Sequence, residues 1–263
     1  SEATVREHLG RLQERYAAED TLSLIAAARA AGLHPGLARL RHAVQRAREK
    51  LRDQLFHHEM LGNVERWMRM DDDKLEGTGI QCFLSPGNDD QFEVDEIIAA
   101  AKNVELAEGR VVEFGDFQMV STGWANRTPW DTYREEDEED LKKRLEAMTS
   151  QVTAAPEKTT YNFHCPPYST GLDDAPEIDA DMRPKDAGRS TVPVGSTAVR
   201  ESIEEGQPTL ALHGHIHEAR GNTRLGRTLC INPGSSYEQG QLLGAVVDLD
   251  GGKKVKRFVL TSG

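Results

Sequence analysis

The chain has 263 residues, 37% hydrophobic and 29% charged, with a formal net charge of −12. That is too apolar for wholesale disorder, and the acidic balance does not suggest a general binder of nucleic-acid backbones, while leaving room for a local basic patch. No apolar run approaches the ~20 residues of a membrane span, Ser1 opens a polar segment without a signal-peptide pattern, and three widely spaced cysteines read as reduced cytoplasmic thiols.

Residues 1–75 read as an all-helical block, packed on or inserted in a main domain that spans 76–263. Val5, Leu9, Leu12 and Tyr16 fall at helical spacing, and Leu22 to Ala31 form a second helix closed at Gly32. Pro35 opens a third, whose stripe runs through Leu37, Leu40, Val44, Leu51 and Leu55. His34, His42, His57 and His58 are ordinary helix residues, and Asp71-Asp72-Asp73 is a solvated helix end.

At Gly79 the pattern changes. Ile80 to Leu84 is a buried strand that stops at the polar turn Ser85 to Asp90, and Val94 to Ala101 returns to helix. Arg110 to Phe114 and Phe117 to Ser121 are strands joined at Gly115-Asp116, followed by a loop from Gly123 to Trp130. The acidic run Glu135 to Asp140 and the basic Lys142 to Arg144 suit the two ends of an amphipathic helix with Leu141, Leu145 and Met148 inside. Thr159 to Phe163 is a strand ending at His164. Residues 169 to about 193 are expected to be a long mobile loop. Val194 to Glu205 is a helix capped near Gly195-Ser196. Thr209 to Leu212 leads into His213-Gly214-His215-Ile216-His217, where Gly214 is expected to bend the backbone. Gly226 to Ile231 stops at Asn232-Pro233-Gly234. Leu242 to Leu249 and Lys254 to Leu260 pair across Asp250-Gly251-Gly252. The order indicates a mixed α/β fold.

Four strands end in polar text: Gly87 to Asp90, His164, Gly214 to His217 and Asn232 to Gly234. Strand ends in α/β folds gather along one edge, where ligands bind. An amide oxygen, imidazoles and carboxylates together make a mixed N/O set suited to Mn, Fe, Zn or similar cations.

The ordered series Gly87-Asn88-Asp89-Asp90, His164 and Gly214-His215-Ile216-His217 resembles the calcineurin-like metallophosphoesterases. The resemblance covers residues from about 79 onward. It implies a four-layer α/β/β/α sandwich and a site for two divalent cations that hydrolyses phosphomonoesters or phosphodiesters through a shared hydroxide. It implies that Asn88, His164 and His215 hold one cation and His217 belongs to the other. Asp89 stands where many members have a histidine that protonates the leaving group; an aspartate does this only if its pKa is raised. Asp90 would fix the turn behind the ligands, and His213 reads as a core or supporting residue. Asn126 and Arg127, in the loop bounded by Trp124 and Trp130, are candidates for phosphate contact; the alternative for Arg127 is a surface ion pair, and plain packing against the sheet is the favoured reading of the tryptophans.

Two motifs of that family are absent: no D-x-H occurs in the chain, and Gly115-Asp116 lies after Asn88, out of order. Either leading strands precede Ser1 in a longer protein, which is the favoured expectation, or the chain is a degenerate member serving as a non-catalytic scaffold or binding protein. The expected partner is a phosphate-ester small molecule or nucleotide, with no membrane and no strong nucleic-acid signature.

Overall fold

The computed structural model describes residues 37–250 and 255–263, with side chains from residue 45 on. The two helices expected before Pro35, with His34, and the Gly251-Gly252 turn lie outside the described residues, as does the side chain of His42. The chain divides into two compact units, Ser1–Trp67 and Met68–Gly263. Leu37–Leu75 (α1) is one 39-residue helix. Its acidic end is not merely solvated. The Asp72 carboxylate accepts from the backbone N–H groups of Lys102, at 2.9 Å, and Asn103, at 2.7 Å, and so anchors the chain after the next helix.

The second unit is built on a six-stranded sheet in the order β11-β12-β10-β7-β4-β3. Its strands are β3 (Arg110–Phe114), β4 (Phe117–Thr122), β7 (Thr159–Phe163), β10 (Leu210–Leu212), β11 (Gly221–Leu225) and β12 (Thr228–Asn232). The four inner strands are parallel and the two edge strands antiparallel. Alternation divides the side chains between the faces. Tyr161, Phe163, Ala211 and Cys230 join Leu141, Leu145 and Met148 of α3 (Glu138–Thr149) and Val199 and Ile203 of α4 (Thr197–Gly206) in the main core. On the other face, Leu210, Leu229 and Ile231 pack against the hairpin of β13 (Leu243–Leu249) and β14 (Val255–Ser262). Ala107, Val112 and Met119 meet Phe83 of β1 (Cys82–Leu84), which pairs in parallel with β2 (Val104–Leu106). The second sheet is therefore two separate two-stranded pieces, and no strand among the described residues joins them. The short helix α2 (Glu93–Ala99) packs beside β2.

Two local expectations change. Residues 169–193 are not a structureless loop: β8 (Asp174–Pro176) pairs with β9 (Thr191–Pro193). This excursion is pinned by the fully buried Asp173 carboxylate, which accepts from the backbone N–H groups of Ser169, Thr170 and Gly195. The acidic run does not all belong to helix α3, which starts at Glu138. Glu135–Glu136 (β6) instead pairs with Ala125–Asn126 (β5), and Glu135 is buried. The cap of α4 is as expected, with Ser196 Oγ accepting from Val199 N.

Candidate functional site

Parallel pairing sets the C-terminal ends of β4, β7, β10 and β12 side by side. The ladder continues one step past them: His164 N donates to Thr122 O, Gly214 N to His164 O and His213 N to Ile231 O. That places His164 and the 213–217 segment on one edge, and the turn after β1 brings Asn88 to the same place. Asn88 Oδ1 lies 3.0 Å from His164 Nε2 and 2.9 Å from His215 Nδ1. The two imidazoles meet edge-on with centroids 5.2 Å apart. Three residues separated by up to 127 positions thus share one point.

The turn geometry differs from the expectation for Gly214. The left-handed conformation falls on His215, at φ 64°, not on the glycine. Non-glycine residues adopt this region at a cost and gather at functional sites. The glycines serve close approach instead. A Cβ on Gly87 would stand 3.0 Å from His164 Nε2, and one on Gly214 3.4 Å from His164 Nδ1. Asn232 holds the segment from behind. Its buried Nδ2 donates to Leu172 O, Gly214 O and Ile216 O, and its Oδ1 accepts from Gly234 N.

Burial keeps His164, His213 and His215 neutral. It depresses His164 to about 3, helped by the neighbouring His215, His217 and His213. It depresses His215 to about 4, with Glu135 opposing and His217 assisting. His213 is also held down to about 4 by burial, and its Nδ1 lies 2.9 Å from Phe163 O and 3.1 Å from Cys165 O. A carbonyl only accepts, so Nδ1 carries the proton; Nε2 is buried without a hydrogen-bond partner. The ring of His217 stands edge-on to Tyr237, 5.6 Å between centroids. The Asp89 carboxyl is raised by burial, then by Asp90 and Glu135, the direction an acid role requires. Asp90 closes the turn, its Oδ2 accepting from Gly87 N at 2.6 Å.

The loop candidates are engaged elsewhere. Asn126 donates to Val194 O and Gly195 O and accepts from Cys165 Sγ. Arg127 is exposed and paired with Asp137 and Asp131. Neither shares a hydrogen bond with the cluster. Trp124 lies under the Arg144 guanidinium, 3.9 Å from its ring centroid, and Trp130 is exposed. Just past this loop, Thr132, not among the expected site residues, reaches the cluster, and behind it stands Glu135, expected at the start of a helix. Asn88 Nδ2 donates to Thr132 Oγ1 at 2.7 Å. Arg134 N donates to Asn88 O at 2.9 Å, while the buried Arg134 side chain pairs with Asp95.

Three neutral donors, one oxygen and two imidazole nitrogens, fit part of the coordination shell of a borderline divalent cation. As arranged, the two ring nitrogens carry the protons that point at Oδ1; a cation would need those protons on the opposite ring nitrogens. Among the described residues, no group of three or more His, Cys, Asp or Glu side chains is placed to hold a metal ion. The set reaches three donors only through Asn88, and the described residues offer no comparable group for a second cation.

No protein-family profile matches the chain. Uncharacterized protein MJ1162 of Methanocaldococcus jannaschii is 29% identical over 157 residues, 59% of this chain and 64% of that protein. The chain thus spans less than two thirds of that relative. A solved crystal structure aligns with a TM-score of 0.54 at 17% identity, covering 92% of this chain and 82% of the other. TT1561 of Thermus thermophilus aligns at 0.49 and 14% identity over 77% and 79% of the two chains. The likeness at 0.54 shows the fold alone. The architecture is mixed α/β with a central, mostly parallel sheet. No described helix is long and apolar enough to cross a membrane.

Proposed function

We propose that the chain is part of a calcineurin-like metallophosphoesterase, a cytoplasmic hydrolase acting on a phosphomonoester or phosphodiester of a small molecule or nucleotide. The observation that carries this reading is the convergence of Asn88 Oδ1, His164 Nε2 and His215 Nδ1 within 3.0 Å at the end of a parallel sheet. A bound divalent cation supplies a nucleophilic water at neutral pH and neutralises charge growing on phosphoryl oxygens. The chain's own residues hold and orient. His164 and His215 stay neutral and, with their protons on the opposite ring nitrogens, would offer lone pairs, and Asn88 would add an uncharged oxygen, so the set would leave the cation's positive charge available to substrate. Asp89, its carboxyl raised by burial and by Asp90 and Glu135, would hold a proton for the leaving group, and Asp90 keeps the turn that carries Asn88. His217 would belong to the site of a second cation. Mn, Fe and Zn all suit this chemistry.

A second reading has its own support: the described residues furnish a donor set for one cation only, which fits a binding protein without turnover. Equilibrium dialysis against Mn²⁺, followed by a nitrophenyl phosphate assay, separates the two. Mn²⁺ uptake and Mn²⁺-dependent hydrolysis, both lost in His215→Ala, are expected. Uptake without hydrolysis selects the binding protein. Hydrolysis that survives His215→Ala and EDTA refutes the site.

A further inference from the structure

An asparagine amide is nearly symmetric in shape, so which end faces which neighbour is decided by hydrogen bonding. At Asn88 the choice is functional, because only the oxygen end can accept from, or stand beside, the two imidazoles as a donor to a cation. The neighbour on the other side, Thr132 Oγ1, is a hydroxyl that can both donate and accept, and by itself it would tolerate either end of the amide. Glu135 removes that freedom. Its carboxylate is acceptor-only when ionised, and it is 5% exposed. Its Oε1 takes the Thr132 hydroxyl proton, the Thr132 N–H at 3.1 Å and the Thr128 hydroxyl proton at 2.5 Å. Its Oε2 takes the Thr128 N–H at 2.8 Å. With its single proton committed, Thr132 Oγ1 has only lone pairs for Asn88. The Asn88 NH₂ must therefore point at Thr132, and Oδ1 must point at His164 and His215.

We propose that Glu135 is a positioning residue that, through the Thr132 hydroxyl, fixes the orientation of the Asn88 amide and thereby the polarity of the Asn88–His164–His215 cluster. The inference rests on reading that cluster as a cation set. Burial pushes the Glu135 carboxyl up, but its four hydrogen bonds from Thr128 and Thr132 outweigh this and hold it below the usual range, so it stays ionised and acceptor-only at neutral pH. Nothing in the acidic run Glu135 to Asp140 distinguishes the first carboxylate from the next five; only the fold turns it inward while the chain passes on into α3.

Two measurements test this. In EDTA, the Asn88 side-chain NH₂ resonances are assigned by their loss in Asn88→Asp, and their nuclear Overhauser contacts are read in the unsubstituted chain. Contacts to Thr132 and none to the imidazole ring protons are expected; contacts to the His164 or His215 rings instead would overturn the proposal. Co²⁺ affinity is then measured from its d–d absorption. Supporting partners of a metal ligand typically govern about 10–100-fold in affinity, so Glu135→Gln and Thr132→Val should weaken binding by about that range, while Thr132→Ser, which keeps the hydroxyl, should restore it. Glu135→Gln and Thr132→Val binding Co²⁺ as tightly as the unsubstituted chain would also overturn it. If the unsubstituted chain takes up no Co²⁺, the cation reading fails, and the amide contacts, read also in Glu135→Gln, decide the proposal: contacts to Thr132 lost or shared with the imidazoles in that variant support it, and contacts unchanged from the unsubstituted chain overturn it.

Discussion

Replacing Asn232 by alanine should be the most damaging single change behind the histidine segment. The side chain is fully buried and makes four contacts, with Leu172 O at 3.1 Å, Gly214 O at 3.2 Å, Ile216 O at 2.9 Å and Gly234 N at 2.9 Å. Two of the carbonyls keep another donor. Gly214 O receives Ile216 N at 2.7 Å, and Ile216 O receives Ala219 N at 3.3 Å. Leu172 O and Gly234 N lose the partner that satisfies them. Stranding a buried polar group costs about 1–3 kcal/mol; about 3 for the buried Leu172 O and about 1 for the partly buried Gly234 N give roughly 4 kcal/mol, before the small cavity left by the amide. For a chain of this size that corresponds to a fall in Tm of about 8–16 °C. Asn232→Asp should cost at least as much, since a carboxylate would face three carbonyl oxygens. The assay is urea unfolding in EDTA, followed by the fluorescence of Trp124, which packs beneath Arg144. A loss below about 1 kcal/mol, the worth of one ordinary hydrogen bond, would show that Asn232 does not hold the segment.

Three further outcomes follow from the same geometry. The histidines His164, His213 and His215, with folded pKa values near 3, 4 and 4 against an ordinary 6.5, bind fewer protons folded than unfolded between those limits. Stability should therefore be full above pH 6.5 and fall as pH drops towards 4, by up to about 1.4 kcal/mol per pH unit for each group; urea midpoints that stay flat from about pH 7 to 4.5 would contradict neutral buried imidazoles. Gly123→Ala should destabilise by about 2 kcal/mol or more, because its Cβ would lie 2.0 Å from Pro86 O, and calorimetry showing an unchanged Tm would refute the contact. The thiols of Cys165 and Cys230, pushed up to about 12 by burial, should resist an aromatic disulfide reagent in the native state. The partly exposed Cys82 should react slowly, its thiol raised by burial and by Asp71, and rapid labelling of all three without denaturant would count against the core as described.

What the sequence determined by itself was local and periodic. Tyr161 and Phe163 alternate with Thr160 and Asn162; Leu141, Leu145 and Met148 lie on one helical face; Ser196 caps a helix; and Asp250-Gly251 separates two strands that do pair. The ordered Asn88, His164 and His215 were legible because each follows a strand; parallel pairing of β7 and β10 puts the two histidines together, whereas Asn88 comes from the turn after β1, which among the described residues pairs only with β2. Tertiary structure decided the rest. The positive φ went to His215 and not Gly214, because the 213–217 segment is tied at both sides, by His164 O at Gly214 and by Asn232 at Ile216. Glu135 left the helix that its neighbours begin and became a buried acceptor, because the β5–β6 bridge draws it inward to the Thr128 and Thr132 donors. Asn126 and Arg127 were spent on the backbone and on surface carboxylates. Hydrogen-bond direction across a contact of 44 residues in sequence, from Asn88 to Thr132, has no periodic signature. It exists only once the fold has brought the two loops together.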